Sequence, residues 1–293
     1  MASRRALASL VAIAARVGRR RHASLVLGGA IVLLVAAMAL LAPVLAPHSP
    51  YEQNLANRLA PPLFLGGTQA SHPLGTDMLG RDYLSRLLYG AQIALLVGLG
   101  TVLLSSLIGT TIGLLGGYYG GWVDSVAMFL VTVRLSLPLV LVALAVVGLI
   151  GSALSVIMGV LAGLLWDRFA VVTRSLVLQL REREFILAAR AAGASDLRIL
   201  LTEILPNLAA PLTVIATLEM ANAILLEAAL SFLGLGVKPP EASWGLMIAE
   251  AKDLVFFQSW LINLPGVLLF SLVVGINLLG DGLRDLLSAK HAD

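Results

Sequence analysis

The sequence has no cysteine and little charge: none of its 293 residues is Cys, and 13% are charged. The lack of cysteine excludes disulfide bonds and thiolate metal ligands. Four histidines, His22, His48, His72 and His291, are scattered without the spacing of a metal site, so we predict no metal on this chain. The net charge of +3 is modest, and no nucleic-acid partner is expected.

Several catalytic motifs are also missing. The sequence has no G-x-x-x-x-G-K-[ST] loop to hold nucleotide phosphates, no H-E-x-x-H zinc motif and no G-x-S-x-G nucleophile elbow. Nor does it show the carbonyl-filter or charged-ring pattern of a channel. We therefore predict that the chain is not an enzyme, has no catalytic residues and binds no cofactor itself.

Apolar residues dominate what remains. The chain is 59% hydrophobic with a mean hydropathy of +0.94, which excludes both a soluble globular domain and a disordered chain. Residues 24–46 would span about 34 Å as a helix, enough to cross a hydrocarbon core of about 30 Å. We interpret this run as an uncleaved first transmembrane helix, with a cleaved signal peptide as the alternative.

Five further spans follow. Residues 135–166 are uncharged, but one helix of that length would reach about 48 Å, so the run must belong to two spans. The Gly148, Gly151 and Ser152 cluster is the expected turn between them. The sequence therefore predicts an all-α, polytopic protein with six transmembrane helices. Spans two to six are expected at residues 91–116, 123–150, 153–172, 208–234 and 260–281.

The distribution of Lys and Arg predicts the orientation. With the N-terminus inside, 14 basic residues lie in inner segments and five in outer loops. This bias places both termini in the cytoplasm. The predicted organisation is a cytoplasmic N-terminal tail (1–23), a first transmembrane helix (24–46), an extracytoplasmic loop (47–90), a core transmembrane domain (91–286) containing a cytoplasmic loop (about 173–207), and a cytoplasmic C-terminal tail (287–293).

That cytoplasmic loop contains "EFILAARAAGASDLRILLTEILPN", residues 184–207. Helix formers lead to Gly193, which breaks the helix; Ser195 and Asp196 offer a new N-cap, and Pro206 is expected to stop the second helix. The pattern predicts helix, turn, helix. An interfacial hairpin lying on the membrane is the alternative. The first helix has a small-residue face that another protein could approach closely, formed by Ala188, Ala189, Ala191 and Ala192.

The segment resembles the coupling loop of ABC-importer permeases, whose pattern is Glu-Ala-Ala, three residues, Gly, and later Leu-Pro. This chain departs from it at Leu187, where the family usually has Glu. The resemblance implies that the loop docks into a groove of an ATPase subunit. The residues that it assigns to ATPase coupling are Ala188, Ala189, Gly193, Ser195, Asp196, Leu205 and Pro206.

Four more blocks extend the resemblance over about residues 72–286. They are "HPLGTDMLGRDYLSRLLYGAQIALLVGL", "GGYYGGWVDSV", "EAALSFLGLGVKPPEASWG" and "NLLGDGLRD". Together they are similar to the dipeptide and oligopeptide importer permeases, and more narrowly to the C-type member of the permease pair. The family pattern usually has Arg and Asp where this chain has Phe129 and Thr132, while Arg134 is extra.

The resemblance implies a type I ABC-importer permease in the bacterial cytoplasmic membrane. Its expected function is ATP-driven uptake of di- or oligopeptides by alternating access; import of nickel, glutathione or another small solute is the alternative. The expected partners are a second permease subunit in a heterodimer, two ATPase subunits that carry ATP and Mg, an extracytoplasmic substrate-binding protein and the lipid bilayer.

Charged residues near or within the spans are further candidates. Glu227 lies within the fifth span, where a charge is costly unless it faces a cavity or a partner. We assign it, with Ser231 and Asn277, to the translocation path or the permease interface; for Glu227 a structural hydrogen bond is the alternative. At the outer entry to the second span, three residues are candidates for docking the binding protein, with an ordinary amphipathic elbow as the alternative. They are Arg81, Asp82 and Arg86.

Overall fold

The computed structural model describes residues 2–66 and 70–289, with side chains for 23–66 and 70–287. This part of the chain is helical and has one isolated β-bridge, between Thr76 and Asp82. The helices are α1 (Ala2–Leu45), α2 (Tyr83–Tyr119), α3 (Gly121–Leu135), α4 (Leu139–Ile150), α5 (Leu154–Leu165), α6 (Asp167–Leu180), α7 (Glu184–Ala191), α8 (Asp196–Arg198), α9 (Leu205–Phe232), α10 (Trp244–Ala251) and α11 (Trp260–Ala289).

Four helical stretches of the described chain are long and apolar enough to cross a membrane, and six are if each of two bent helix pairs counts as one span. The all-α fold is therefore confirmed, and six spans are compatible with it. The expected boundary between the third and fourth spans is also found, because α4 ends at Ile150 and Gly151 follows with φ +113°. Of the expected C-terminal tail, residues 287–289 continue α11, and residues 290–293 lie outside the described chain.

Helix α1 begins at Ala2, and its stretch that is long and apolar enough to cross a membrane is Ala23–Leu45. The outer loop ends at Asp82 rather than at residue 90, since α2 already begins at Tyr83. The reason is a side-chain cap: Asp82 Oδ2 accepts a hydrogen bond from the backbone N–H of Ser85 over 2.8 Å.

The third and fourth spans are broken, which the sequence reading did not predict. The helices α3 and α4 meet at 86°, and α5 and α6 meet at 40°. The first break precedes α4, whose N-cap is Pro138. Proline has no N–H and restricts the residue before it to extended conformations, so the helix ends there.

The expectation that Pro206 stops a helix was also wrong. Residues Ile199–Ile204 form a π-helical turn, closed by a bond from Leu205 N–H to the Leu200 carbonyl, and the chain runs on into α9. Pro206 stands in the first turn of α9, where its missing N–H costs little. The coupling-loop candidate is therefore continuous with the fifth span, because residues Asp196–Phe232 form one helical stretch.

Helix α2 lies at the centre of the fold and packs on α1, α5, α6 and α9. Its contact with α6 uses a glycine at every fourth residue. A Cβ at Gly113 would lie 2.5 Å from the Ala170 carbonyl oxygen, and one at Gly109 would lie 2.2 Å from that of Trp166. Only glycine permits this approach, as in other close helix contacts within membranes.

We predict that Gly113→Ala destabilises the protein, because its methyl group has to displace the α6 backbone. Forcing an extra methyl group into a packed site usually costs about 1–3 kcal/mol. The matched control is Gly163→Ala in α5, where a Cβ meets nothing within 4 Å. Thermal unfolding in nanodiscs measures both. Equal melting temperatures for wild type and Gly113→Ala would contradict the packing described here.

Candidate coupling element and membrane cavity

The candidate coupling element is the exposed two-helix segment α7–α8. The helix α7 ends at Ala191, and Gly193 follows with φ +81°, a conformation that favours glycine. Ser195 then caps α8, because its Oγ accepts from the backbone N–H of Arg198 over 3.4 Å. The predicted helix, turn and new N-cap are thus confirmed.

Polar contacts fix this element to the end of α2. The Tyr118 hydroxyl donates to Asp196 Oδ1 over 2.7 Å, and Arg190 Nη2 donates to the Tyr118 oxygen over 3.1 Å. The same hydrogen bond raises the pKa of the Arg190 guanidinium. Beneath these contacts, the fully buried Ile186 joins a cluster that includes Ile199 and Tyr118. A displacement of α7–α8 would therefore move α2 as well as α9.

The outward side of the coupling element is small and apolar. Ala188 and Ala191 are exposed, and Leu187 is 50% exposed at the position where the related permeases usually have Glu. Ala189 is half-buried against the cluster beneath. Leu205 is half-buried and Pro206 exposed at the start of α9. Of the predicted coupling residues before α9, Asp196 anchors the element through its bond to Tyr118, and the others form or border this small, accessible surface.

A charged cavity of about 340 Å³ lies where the two broken spans meet α9. Glu219, near the midpoint of α9, is 1% exposed, and Arg168 Nη1 lies 2.9 Å from its Oε1. On the opposite wall, Arg134 Nε lies 3.3 Å from Asp167 Oδ1. The ends of the broken helices thus bring these charges together. Apolar residues complete the lining: Leu135, Leu139, Leu165, Leu225 and Leu226.

The cavity offers groups of both charges to a polar solute. Asn222 also lines it and adds an amide, which donates to Glu219 Oε2 over 3.4 Å. The Arg168 side chain is 61% exposed, so its guanidinium remains accessible. Charges within a span are tolerated when they pair or face water. This arrangement is chemically suited to a solute that has both an ammonium and a carboxylate group.

The residues that the sequence assigned to the translocation path or the permease interface lie outside this cavity. Glu227 is 2% exposed, and its Oε1 accepts from Ser231 Oγ over 2.7 Å. Ser231 is also buried, at the contact where Gly245 at the start of α10 meets α9. Asn277 is half-buried on α11, and none of the three path candidates lines the charged cavity. For Glu227 the structure favours the alternative of a structural hydrogen bond.

The assignment of Arg81, Asp82 and Arg86 to a docking surface needs correction, because their exposures are 3%, 1% and 0%. Asp82 is the cap of α2, as described above. Arg81 Nη2 and Arg86 Nη1 donate to Glu250 Oε2 on α10 over 2.9 Å and 2.8 Å. A buried side chain cannot present a surface to a docked protein. These residues instead connect the loop before α2 with α2 itself and with α10.

Asp77 completes this outer network. Its Oδ2 accepts from Arg81 Nε over 2.6 Å and from Arg86 Nη1. Burial by itself would raise the pKa of the Asp77 carboxyl, but the two guanidinium groups outweigh it and hold the pKa below its usual range. The carboxylate therefore stays charged and holds the two arginines in place.

The amino-acid sequence matches two known protein families and several named relatives. Residues 109–292 match the family "Binding-protein-dependent transport system inner membrane component", and residues 20–62 match "N-terminal TM domain of oligopeptide transport permease C". The chain is 38% identical over 271 residues to the dipeptide transport system permease protein DppC of Haemophilus influenzae, covering 92% of each chain.

Two other relatives have different named solutes. The di/tripeptide transport system permease protein DppC of Pseudomonas aeruginosa is 43% identical over 265 residues, covering 90% of this chain and 88% of the relative. The glutathione transport system permease protein GsiD of Pectobacterium atrosepticum is 38% identical over 271 residues, covering 92% of this chain and 88% of the relative.

The helical spans and these matches define a multi-pass inner-membrane component of a transport system, not a catalytic subunit. The chain belongs to the family of binding-protein-dependent transport system inner membrane components, and its N-terminal part is of the oligopeptide permease C type. This confirms the resemblance carried by the four sequence blocks. As a component of such a system, the chain works with other ABC-transporter subunits.

We predict that Arg168→Ala destabilises the protein because it leaves the Glu219 carboxylate buried without its counter-charge. Breaking a buried pair costs about 3–5 kcal/mol, and the exposure of Arg168 reduces that figure here. Adding Glu219→Gln should restore most of the loss in thermal unfolding, as a double-mutant cycle would show. Arg183→Ala, at an exposed arginine, is the control. Additive losses in the double variant would contradict the pairing.

Proposed function

We propose that this chain is one membrane-spanning half of an ATP-driven importer of di- or oligopeptides. In this proposal a second permease subunit completes the pore, two ATPase subunits bind ATP and Mg, and an extracytoplasmic binding protein delivers the peptide. The observation that carries the proposal is the exposed α7–α8 element, which is continuous with α9 and fixed to α2 by Tyr118. Two relatives named as dipeptide and di/tripeptide permeases support the solute class.

The coupling role follows from how the element is attached. Ala188 and Ala191 give α7 a small outer face that fits a groove on an ATPase subunit. Since Asp196 begins the helical stretch that becomes α9, a push on α8 is transmitted along a rigid helix into the membrane. The link from Asp196 to Tyr118 carries the same push to α2.

The charged cavity is our candidate for part of the translocation path. It lies beside the midpoint of α9, and the exposed Arg168 can exchange its ion pair with Glu219 for a contact with a passing solute. A peptide carries an ammonium group at one end and a carboxylate at the other. Glu219 and Arg168 complement these two charges, and Asn222 complements the peptide amides.

The orientation that we propose places both termini and α7–α8 in the cytoplasm. Its support is the excess of Lys and Arg in the segments assigned to the inside, including six arginines between positions 167 and 206. The outer loop and α10 then face the binding protein. The small, accessible surface of α7–α8 is thereby placed on the side where ATP is found.

Glutathione is the second candidate solute, because a glutathione permease is 38% identical over 92% of this chain. Glutathione also has ammonium and carboxylate groups, so the cavity does not separate the two candidates. Proteoliposomes containing the complete importer distinguish them by uptake of a labelled dipeptide against labelled glutathione. Uptake of neither, with every subunit present, would contradict the proposal.

We predict that Gly193→Val uncouples ATP hydrolysis from uptake while the importer still assembles. Valine resists φ +81°, and relieving a strain of about 1–3 kcal/mol would turn α8 relative to α7. Such an energy corresponds to a docking equilibrium weakened about 5- to 150-fold. The measurement is ATP hydrolysis by the reconstituted complex with and without the loaded binding protein.

A matched control is Gly66→Val on the outer loop, where φ is +86° and a Cβ would likewise meet nothing within 4 Å. It imposes the same backbone strain away from the coupling element. We expect stimulated hydrolysis to fall in Gly193→Val and to persist in Gly66→Val. Normal stimulation and uptake in Gly193→Val would show that the bend at Gly193 has no role in coupling.

A further inference from the structure

Three side chains that bind metals in other proteins meet on the outer side, between the end of α1 and the start of α2. His72 Nδ1 lies 2.9 Å from Asp82 Oδ1, and His48 Nδ1 lies 3.9 Å from the same oxygen. The two imidazole rings have their centroids 4.5 Å apart. One potential ligand atom from each residue lies within 4.8 Å of the others.

These separations suit a shared metal ion. Two ligand atoms, each about 2.1 Å from Zn²⁺ in tetrahedral geometry, lie about 3.4 Å apart. The observed 2.9 Å and 3.9 Å lie on either side of that value, so small side-chain rotations bring both donors to a common ion. Imidazole nitrogen and carboxylate oxygen are ligands that Zn²⁺ binds in many proteins.

The surroundings complete the site. His48 Nδ1 is buried and has no hydrogen-bond partner within the described part of the chain. Asp82 Oδ2 is held by Ser85, through its backbone N–H and its Oγ, which orients Oδ1 toward the histidines. The cavity at this place has a volume of about 220 Å³ and is also lined by Glu52. A water molecule in this cavity would complete a four-coordinate ion.

We propose that His48, His72 and Asp82 form an extracytoplasmic zinc site that joins three segments of the chain. A hydrogen bond between His72 and Asp82 would explain two of the three residues but not the buried nitrogen of His48. Zn²⁺ binds neutral His72 through the lone pair of Nδ1, so the single ring proton lies on Nε2 in the metal-bound form. Since the ion binds only where the three segments meet, it stabilises the outer end of α1 against the start of α2.

The test uses the full-length chain in nanodiscs, without a polyhistidine tag and stripped of metal by a chelator. Zn²⁺ is titrated against a chromogenic competitor, and Co²⁺ serves as a spectroscopic substitute. We expect one equivalent of Zn²⁺ and a visible Co²⁺ absorption typical of tetrahedral nitrogen and oxygen ligands. His48→Gln should weaken Zn²⁺ binding by at least about tenfold. Loss of a residue that only hydrogen-bonds to a metal ligand already lowers metal affinity about 10–100-fold.

His48→Gln is a mild variant, since the Nδ1 that it removes makes no hydrogen bond in the described chain. His291→Gln, far along the sequence, is the control and should bind as wild type does. The proposal is overturned if wild type binds no Zn²⁺, or if His48→Gln binds it as tightly as wild type. A wild-type Co²⁺ spectrum of six-coordinate hydrated ion would overturn it independently of any variant.

Discussion

The central constraint on the structure is the free-energy cost of placing charged groups in a hydrocarbon layer. The chain lowers this cost by pairing opposite charges where its helices break. A charged group at the bilayer centre costs several kcal/mol unless it faces water or a partner. Arg134, at the end of α3, pairs with Asp167 at the bend between α5 and α6, and Arg168 pairs with Glu219 on α9. These pairs hold two broken spans against an unbroken one.

The fold contains two kinds of helix, long unbroken ones and short ones that meet at bends. The long helices α1, α2, α9 and α11 form a frame with close contacts, such as that of Gly28 on α1 with the Gly275 carbonyl on α11. The short helices α3 to α6 surround the charged cavity. At the two bends the helical hydrogen bonding of the backbone is interrupted. Irregular backbone within a membrane is tolerated where it lines a cavity or is buried in protein. In the mechanism that we propose, the frame carries force from α8, while the bends shape the path.

The sequence predicted the features that depend on local chemistry. Hydrophobic runs predicted the helices, and Gly193 with Ser195 predicted the turn and cap of the coupling element. Pro206 was misread because a π-helical turn upstream removes the usual penalty for proline. Such a turn depends on a backbone hydrogen bond to the fifth residue before, which hydrophobic periodicity does not encode.

The candidate sites were harder to predict, because they depend on which distant residues meet. Glu227 and Arg86 have charges that would be functional if exposed, yet packing buries them against α10 and the outer loop. Arg168 and Glu219 are 51 positions apart, and a loop, a π-helical turn and half a span separate them. The available signal was the presence of Arg134 and Glu219 within apolar runs, since intramembrane charge is a functional indicator by default.

The most direct test of the account is to identify what touches α7 in the assembled importer. Because the chain has no cysteine, Ala188→Cys can carry a single thiol-linked photo-cross-linker, and Ser71→Cys on the exposed outer loop is the matched control. Illumination of the purified complex should join position 188, and not position 71, to an ATPase subunit. A cross-link from position 71 to the ATPase, or none from position 188, would contradict the coupling role and the orientation together.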